Sequence, residues 1–208
     1  LALERSTAPL IARLDPDDYV EKERFEKQFY EFAKNPDLGL VGSDVRYIKN
    51  GRHIGNSSVP DEQRKIEKLL KTGIIPVIHG TIMLKKKLLI GFKYKQELVP
   101  AEDYDLLAYV LKNGGIMKNI NEYLTNVNIH DSSVSNNLKF EAVSYRYLLA
   151  NQYFGYKVSQ LGLQIEYQHL KYYRKFMASS GINRIFFLFV SACLKPKKVL
   201  KRIFSKGR

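Results

Sequence analysis

Asp15, Asp17 and Asp18 put three carboxylates within four positions, directly behind the apolar run Leu10-Ile11-Ala12. Hard oxygen donors grouped this tightly suit Mg2+ or Mn2+ rather than zinc. A divalent ion held there beside a diphosphate would neutralise charge developing on a leaving group. The group is not an EF-hand, because counting from Asp15 puts Val20 where the turn glycine belongs. Asp18 also has a second reading, as the N-cap of a following helix with Glu21 completing a capping box. Glu102 and Asp103 form a second acidic focus. One of them could act as general base toward an attacking hydroxyl, although acids in a first helical turn are favoured by the helix dipole alone, and capping is the simpler account. His130 could join the metal site or be merely solvated, and His79, within an apolar stretch, reads as a hydrogen-bonded structural residue.

The surrounding pattern supplies elements to carry these groups. A hydrophobic strand ending in acids delivers them to the carboxyl edge of a sheet, where open α/β folds bind ligands. Residues 19–34 read as an amphipathic helix with Phe25, Phe29, Phe32 and Ala33 on one face, stopped by Asn35-Pro36. A strand is expected over 38–48, with a hairpin turn at Asn50-Gly51. A helix over 61–72 stops at Gly73, and a largely apolar strand is expected over 74–84. Glu102 and Asp103 open a helix that buries Leu106, Leu107, Val110 and Leu111 and ends at Asn113-Gly114-Gly115. Residues 116–128 read as extended and 130–135 as a polar loop, followed by Tyr-rich helices over 138–160 and 163–178.

With 45% hydrophobic residues, 11 Phe and 14 Tyr in 208 positions, the chain can build a proper core. A single cysteine, Cys193, excludes an internal disulfide framework and points to a reducing compartment. The net charge of +13 is concentrated at the end: residues 167–208 hold eleven Lys or Arg and no acid. There, ten apolar residues (185–194) are too few to cross a bilayer, which needs about 20. Beyond Pro196, the residues Val199, Leu200, Ile203 and Phe204 form an apolar face flanked by Lys197, Lys198, Lys201 and Arg202. That combination suits a helix lying on an anionic membrane surface, with a core-packing helix and solvated basic end as the plainer alternative. Nucleic acid fits less well, because the cations flank an apolar face rather than interleaving with stacking aromatics.

Taken in order, Ile11 to Asp18, Arg24-Phe25-Glu26-Lys27-Gln28, Asn35 to Ser43, Ile78-His79-Gly80-Thr81-Ile82-Met83, Ala101 to Leu106 and Ile129 to Ser135 resemble the central segment of family 2 glycosyltransferases of bacterial surface-polysaccharide synthesis. The resemblance implies an α/β fold, a partial GT-A-like (Rossmann-like) mixed sheet flanked by helices, with a C-terminal helical extension. By position it implies that Asp15 and Asp17 face nucleotide and metal with Asp18 in support. Asp103 is the implied base for an inverting displacement, with Glu102 beside it, and His130 is implied to lie near Mg2+ or Mn2+ and the diphosphate. The implied partners are a nucleotide-sugar donor and a saccharide or lipid-linked acceptor, reached from the cytoplasm at the inner face of the plasma membrane. The family's first strand with its Tyr-Asn-type turn, and a second ending in Asp-Asp-Gly-Ser, have no counterpart here. The expectation is therefore a C-terminal part without the nucleotide-binding half, divided into a partial catalytic domain (1–136), a helical extension (137–181) and a basic tail (182–208). An inactive, membrane-associated binding protein is the alternative.

Overall fold

The computed structural model describes residues 2–130, 139–179 and 181–199. In chain order the elements are α1 (Ala2–Arg5), β1 (Leu10–Ala12), β2 (Tyr19–Val20), α2 (Arg24–Lys34), β3 (Leu38–Lys49), β4 (Arg52–Asn56), α3 (Gln63–Lys71), β5 (Met83–Lys85), α4 (Glu102–Lys112), β6 (Ile116–Asn128), α5 (Phe140–Phe154), α6 (Gln160–Ala178) and α7 (Gly181–Leu194). The strands form one mixed sheet in the order β1-β5-β3-β6-β2, with β4 also paired to β3. The β3–β6 pair is parallel and the others are antiparallel. The first eight residues of β3 are all buried, as a central strand covered on both faces requires. At the hairpin Asn50 and Gly51 take φ of 51° and 73°, the left-handed pair that a tight two-residue turn demands.

Two apolar layers enclose the sheet. On one side Leu40, Leu84 and Met117 meet Ile66 and Leu70 of α3, Leu106, Leu107 and Val110 of α4, and Leu149 and Ala150 of α5. On the other, Val41, Met83, Ile120 and Leu124 meet Phe32 of α2. Beyond this body α6 and α7 pack on one another around a polar seam. There buried Glu166 accepts from Lys198 at 2.6 Å and pairs with Lys195 at 3.5 Å, and Ser191 meets His169 Nδ1 at 3.0 Å.

The structure departs from the sequence expectations in three places that matter for the site. Residues 19–20 pair with Thr125 and Asn126 of β6, and the Glu21 amide donates to Leu124 O, so the helix begins at Arg24 rather than at Tyr19. Asp18 therefore caps no helix; its carboxylate accepts from the Asn128 amide at 3.0 Å. The inner face of α2 is also not the aromatic one. Arg24, Gln28 and Phe32 point inward, whereas Phe25 and Phe29 are 46% and 61% exposed and Ala33 is exposed. The strand expected over 74–84 shrinks to Met83–Lys85, because the Pro76 and Ile78 carbonyls are taken by side chains, Asn119 Nδ2 at 3.0 Å and Thr81 Oγ1 at 2.7 Å. A short 3-10 turn, His79–Thr81, stands in its place. In the tail Val199 is buried, and Leu200, Ile203 and Phe204 lie outside the described residues.

Candidate active site

β1 ends where the Arg13 amide donates to Ile82 O at 2.8 Å, and the chain then turns through the acids, with the Asp18 amide donating to Asp15 O at 3.1 Å. Each carboxylate is held by a different neighbour. Asp15 takes both guanidinium nitrogens of Arg13, each at 3.0 Å. Asp17 Oδ2 meets His130 Nε2 at 2.9 Å, while Asp18 is tied to the end of β6. The hydrogen bond from His130 holds Asp17 below the ordinary carboxylate range, and burial pushes Asp18 above it. Gly80 faces this cluster: a Cβ there would lie 3.2 Å from Asp15 Oδ2 and 3.4 Å from Asp18 Oδ2, so both oxygens border the same glycine.

Beneath the acids lies a support that the sequence pattern conceals. Arg24, fully buried, donates through Nη2 to Arg13 O at 2.7 Å and through Nε to Gln28 Oε1 at 3.1 Å. Gln28 Nε2 in turn donates to Val41 O at 2.9 Å and Thr81 O at 2.7 Å, bonding α2 to β3 and to the 3-10 turn. Burial brings Arg24 down to about 10, opposed by the charge of Asp18, so it stays cationic at neutral pH under the acid cluster. In an apolar layer these two residues supply side-chain donors to the carbonyls of Arg13, Val41 and Thr81.

Glu102 and Asp103 are the first two residues of α4, with Ala101 at the N-cap position. Asp103 Oδ1 accepts from the Tyr104 amide at 2.6 Å, and burial nonetheless pushes Asp103 up to about 6. Buried Glu102 Oε2 has no hydrogen-bond partner among the described residues. Tyr94, 47% exposed, lies near both acids and puts its hydroxyl 3.3 Å from His79 Nε2. Burial holds His79 at about 3, so its ring is neutral at physiological pH. Arg13 joins the two acidic foci: its charge acts on Asp18, His79, Tyr94 and Asp103 while its guanidinium holds Asp15. The structure ties Asp17 to His130 and Asp15 to Arg13, and it sets Glu102 and Asp103 at the start of α4 within electrostatic reach of Arg13. Arg13, Tyr94 and the Arg24–Gln28 pair are the members that residue-type reasoning did not single out. Their nearest signals were the stretches Ile11 to Asp18 and Arg24-Phe25-Glu26-Lys27-Gln28 of the resemblance, the latter with its polar ends at helical i, i+4 spacing.

The donor set suits a divalent ion of a particular kind. No group of three His, Cys, Asp or Glu among the described residues forms a ready cage. Asp17, with its side chain 42% exposed, and Asp15, at 41%, offer carboxylate oxygens at the surface. One or two carboxylates completed by substrate phosphates is the manner in which Mg2+ is commonly held.

Residues 1–91 match the protein family described as Glycosyl transferase family 2. Glu102, Asp103 and His130 lie beyond the matched residues. Among curated proteins, the chain is similar to the O-antigen biosynthesis glycosyltransferase WbnJ of Escherichia coli, 32% identical over 149 residues, covering 69% of this chain and 58% of that protein. It is also similar to the uncharacterized glycosyltransferase MJ1057 of Methanocaldococcus jannaschii, 31% identical over 139 residues, covering 65% and 48%. The chain thus spans about half to three-fifths of the relatives it matches. Among solved structures, S. aureus TarS in complex with UDP-GlcNAc superposes with a TM-score of 0.56 at 13% identity, covering 95% of this chain and 61% of that one. At that identity the likeness is one of fold, and it agrees with a partial GT-A-like mixed sheet.

Proposed function

The chain belongs to glycosyltransferase family 2 through residues 1–91, and on that premise we propose that it is the acceptor-side and metal-side part of an inverting, metal-dependent enzyme that moves a sugar from a nucleotide-sugar to a saccharide or lipid-linked acceptor in surface-polysaccharide synthesis. What supports this reading is Asp103, a carboxylate at the start of α4 that burial raises to about 6 and that lies within electrostatic reach of Arg13, whose guanidinium holds Asp15. A base with that affinity accepts a hydroxyl proton more readily than an ordinary aspartate and is still ionised at pH 7. In the proposed step Asp103 takes the proton of the acceptor hydroxyl as its oxygen attacks the anomeric carbon from the face opposite the diphosphate. The glycosidic bond forms, the bond to the diphosphate breaks, and the configuration inverts. Asp15 and Asp17 would hold Mg2+ or Mn2+, with Asp18 bracing their turn and His130 orienting Asp17. The ion would supply charge neutralisation for the departing nucleoside diphosphate. That TarS was crystallised with UDP-GlcNAc supports uridine diphosphate sugars as the donors to try first.

The functional division proposed is a catalytic part over 1–136, a helical extension over 137–181 and a basic tail over 182–208 that docks on the inner face of the cytoplasmic membrane, where a lipid-linked acceptor would lie. Turnover by the protein with uridine diphosphate sugars and Mn2+ tests the reading. Failure to bind uridine diphosphate with Mn2+ would leave the inert binding protein as the better account.

Two variants probe the two sides of the proposed site. Asp17→Asn is expected to weaken Mn2+-dependent binding of uridine diphosphate at least about tenfold by calorimetry, because a charged ligand becomes neutral at a largely exposed position while its amide can keep the contact with His130. Equal affinity with and without Mn2+ in the parent protein would remove Asp17 from the metal. Tyr94→Ala is expected to raise the acceptor KM about tenfold with little change in the donor KM, since an exposed ring beside the base offers a contact surface to the incoming sugar. A change confined to the donor would place Tyr94 on the other side of the reaction.

A further inference from the structure

Helix α7 presents an outer stripe that nothing in the described structure covers. Ile182, Ile185, Phe186 and Phe189 are 82%, 69%, 56% and 66% exposed, at spacings of i, i+3, i+4 and i+7, and exposed Cys193 continues the line. No charged residue interrupts it. The opposite side is committed to α6, where Phe187 lies against Tyr172 and Ser191 against His169. Cations mark the seam between the two helices: Arg184 sits over Phe176, and Lys175 over Phe187. The last acid in the chain, Glu166, is 4% exposed and already engaged by Lys195 and Lys198, so no carboxylate on the later residues opposes an anionic surface.

We propose that this α7 stripe is the element that inserts into an anionic lipid membrane, lying in the interface plane with the basic seam and the Lys- and Arg-rich residues after it against the headgroups. At 14 residues the helix is about 21 Å long, shorter than the roughly 30 Å hydrocarbon core, and no helix among the described residues is long and apolar enough to cross. An apolar face with cationic margins is the composition that partitions to the boundary between headgroups and acyl chains. A second copy of the chain is a poorer occupant, because pairing these faces would bring together two ends that each carry eleven cations and no acid over residues 167–208.

This extends the membrane-docked reading above, but its test reads vesicle binding, not turnover, so the two succeed or fail separately. The purified protein is floated with phosphatidylcholine vesicles with and without phosphatidylglycerol, alongside Phe186→Ser/Phe189→Ser. The expected result is recovery with phosphatidylglycerol vesicles, weakened by salt, and at least about a tenfold loss in the double variant with an unchanged melting curve, since both rings are largely exposed. Undiminished binding of the variant would overturn the assignment. So would equal binding to vesicles without phosphatidylglycerol, or a sedimenting dimer that the double variant dissociates in a protein that binds neither kind of vesicle.

Discussion

Asp103→Asn is expected to abolish sugar transfer while making the protein more stable. As the proposed base, the carboxylate contributes about 10²- to 10⁴-fold to the rate, and its amide replacement cannot accept a proton. Stability moves the other way. Asp103 binds its proton more tightly when folded (about 6) than unfolded (near 3.8), so between these values the native state holds more protons than the unfolded one. The stability of the parent protein therefore falls as pH rises through that window, and above it the buried charge imposes its full cost, at most about 3 kcal/mol. Asn carries no such charge and can keep the bond from the Tyr104 amide. The variant should melt higher than the parent at pH 7.5 and converge with it near pH 4. The parent's kcat/KM should fall below about pH 6 as Asp103 protonates. A variant that retained turnover would take the base assignment away, and one that melted lower at pH 7.5 would show that the charge is not strained in the native state.

Gln28→Ala is expected to be the most destabilising single change near the site. It strips donors from the buried Val41 and Thr81 carbonyls, removes the acceptor of the Arg24 Nε–H, and leaves a void. Orphaned buried polar groups cost about 1–3 kcal/mol each, so a loss of about 4 kcal/mol is expected, or roughly 10 °C in Tm for a chain of this size. Phe29→Ala on the same helix removes a larger apolar side chain that is 61% exposed, and should stay within about 0.5 kcal/mol of the parent. Thermal unfolding of the pair separates a helix seated on its polar face from one seated on its aromatic face. Equal shifts would favour the aromatic face that periodicity alone selects.

That contrast explains what could be read from the residues and what could not. Apolar periodicity held for most of the core: α3 with Ile66 and Leu70, α4 with Leu106, Leu107 and Val110, and the long strands β3 and β6 all lie close to where their patterns place them, whereas the apolar stretch 74–84 does not. The Asn50-Gly51 turn was legible because so few residue pairs accept its dihedral angles. The reading failed where polar side chains do structural work. A buried Arg and Gln look like solvent-facing residues until the carbonyls they satisfy are known, and those carbonyls, of Arg13, Val41 and Thr81, lie elsewhere in the chain. The Asp18 cap failed for a related reason, since the amide that claims its carboxylate lies at Asn128. Of the candidate site, the acids were visible as residue types. The ties of Asp17 and Asp18 to His130 and Asn128 depended on the pairing of β2 with β6, which no local pattern encodes.

The Asp18–Asn128 and Asp17–His130 contacts also set the order of events as the chain is made and folds. They join residues 110 and 113 positions apart, and both wait on the parallel pairing of β6 with β3. Contacts of such span close late, because the intervening chain loses its freedom before they form. A chain emerging during synthesis displays Asp15, Asp17 and Asp18 long before β6 exists, as loose acids without their latch. The ties that hold Asp17 and Asp18 are therefore among the later contacts to form, when the sheet closes on carboxylates that precede their partners by 113 and 110 positions.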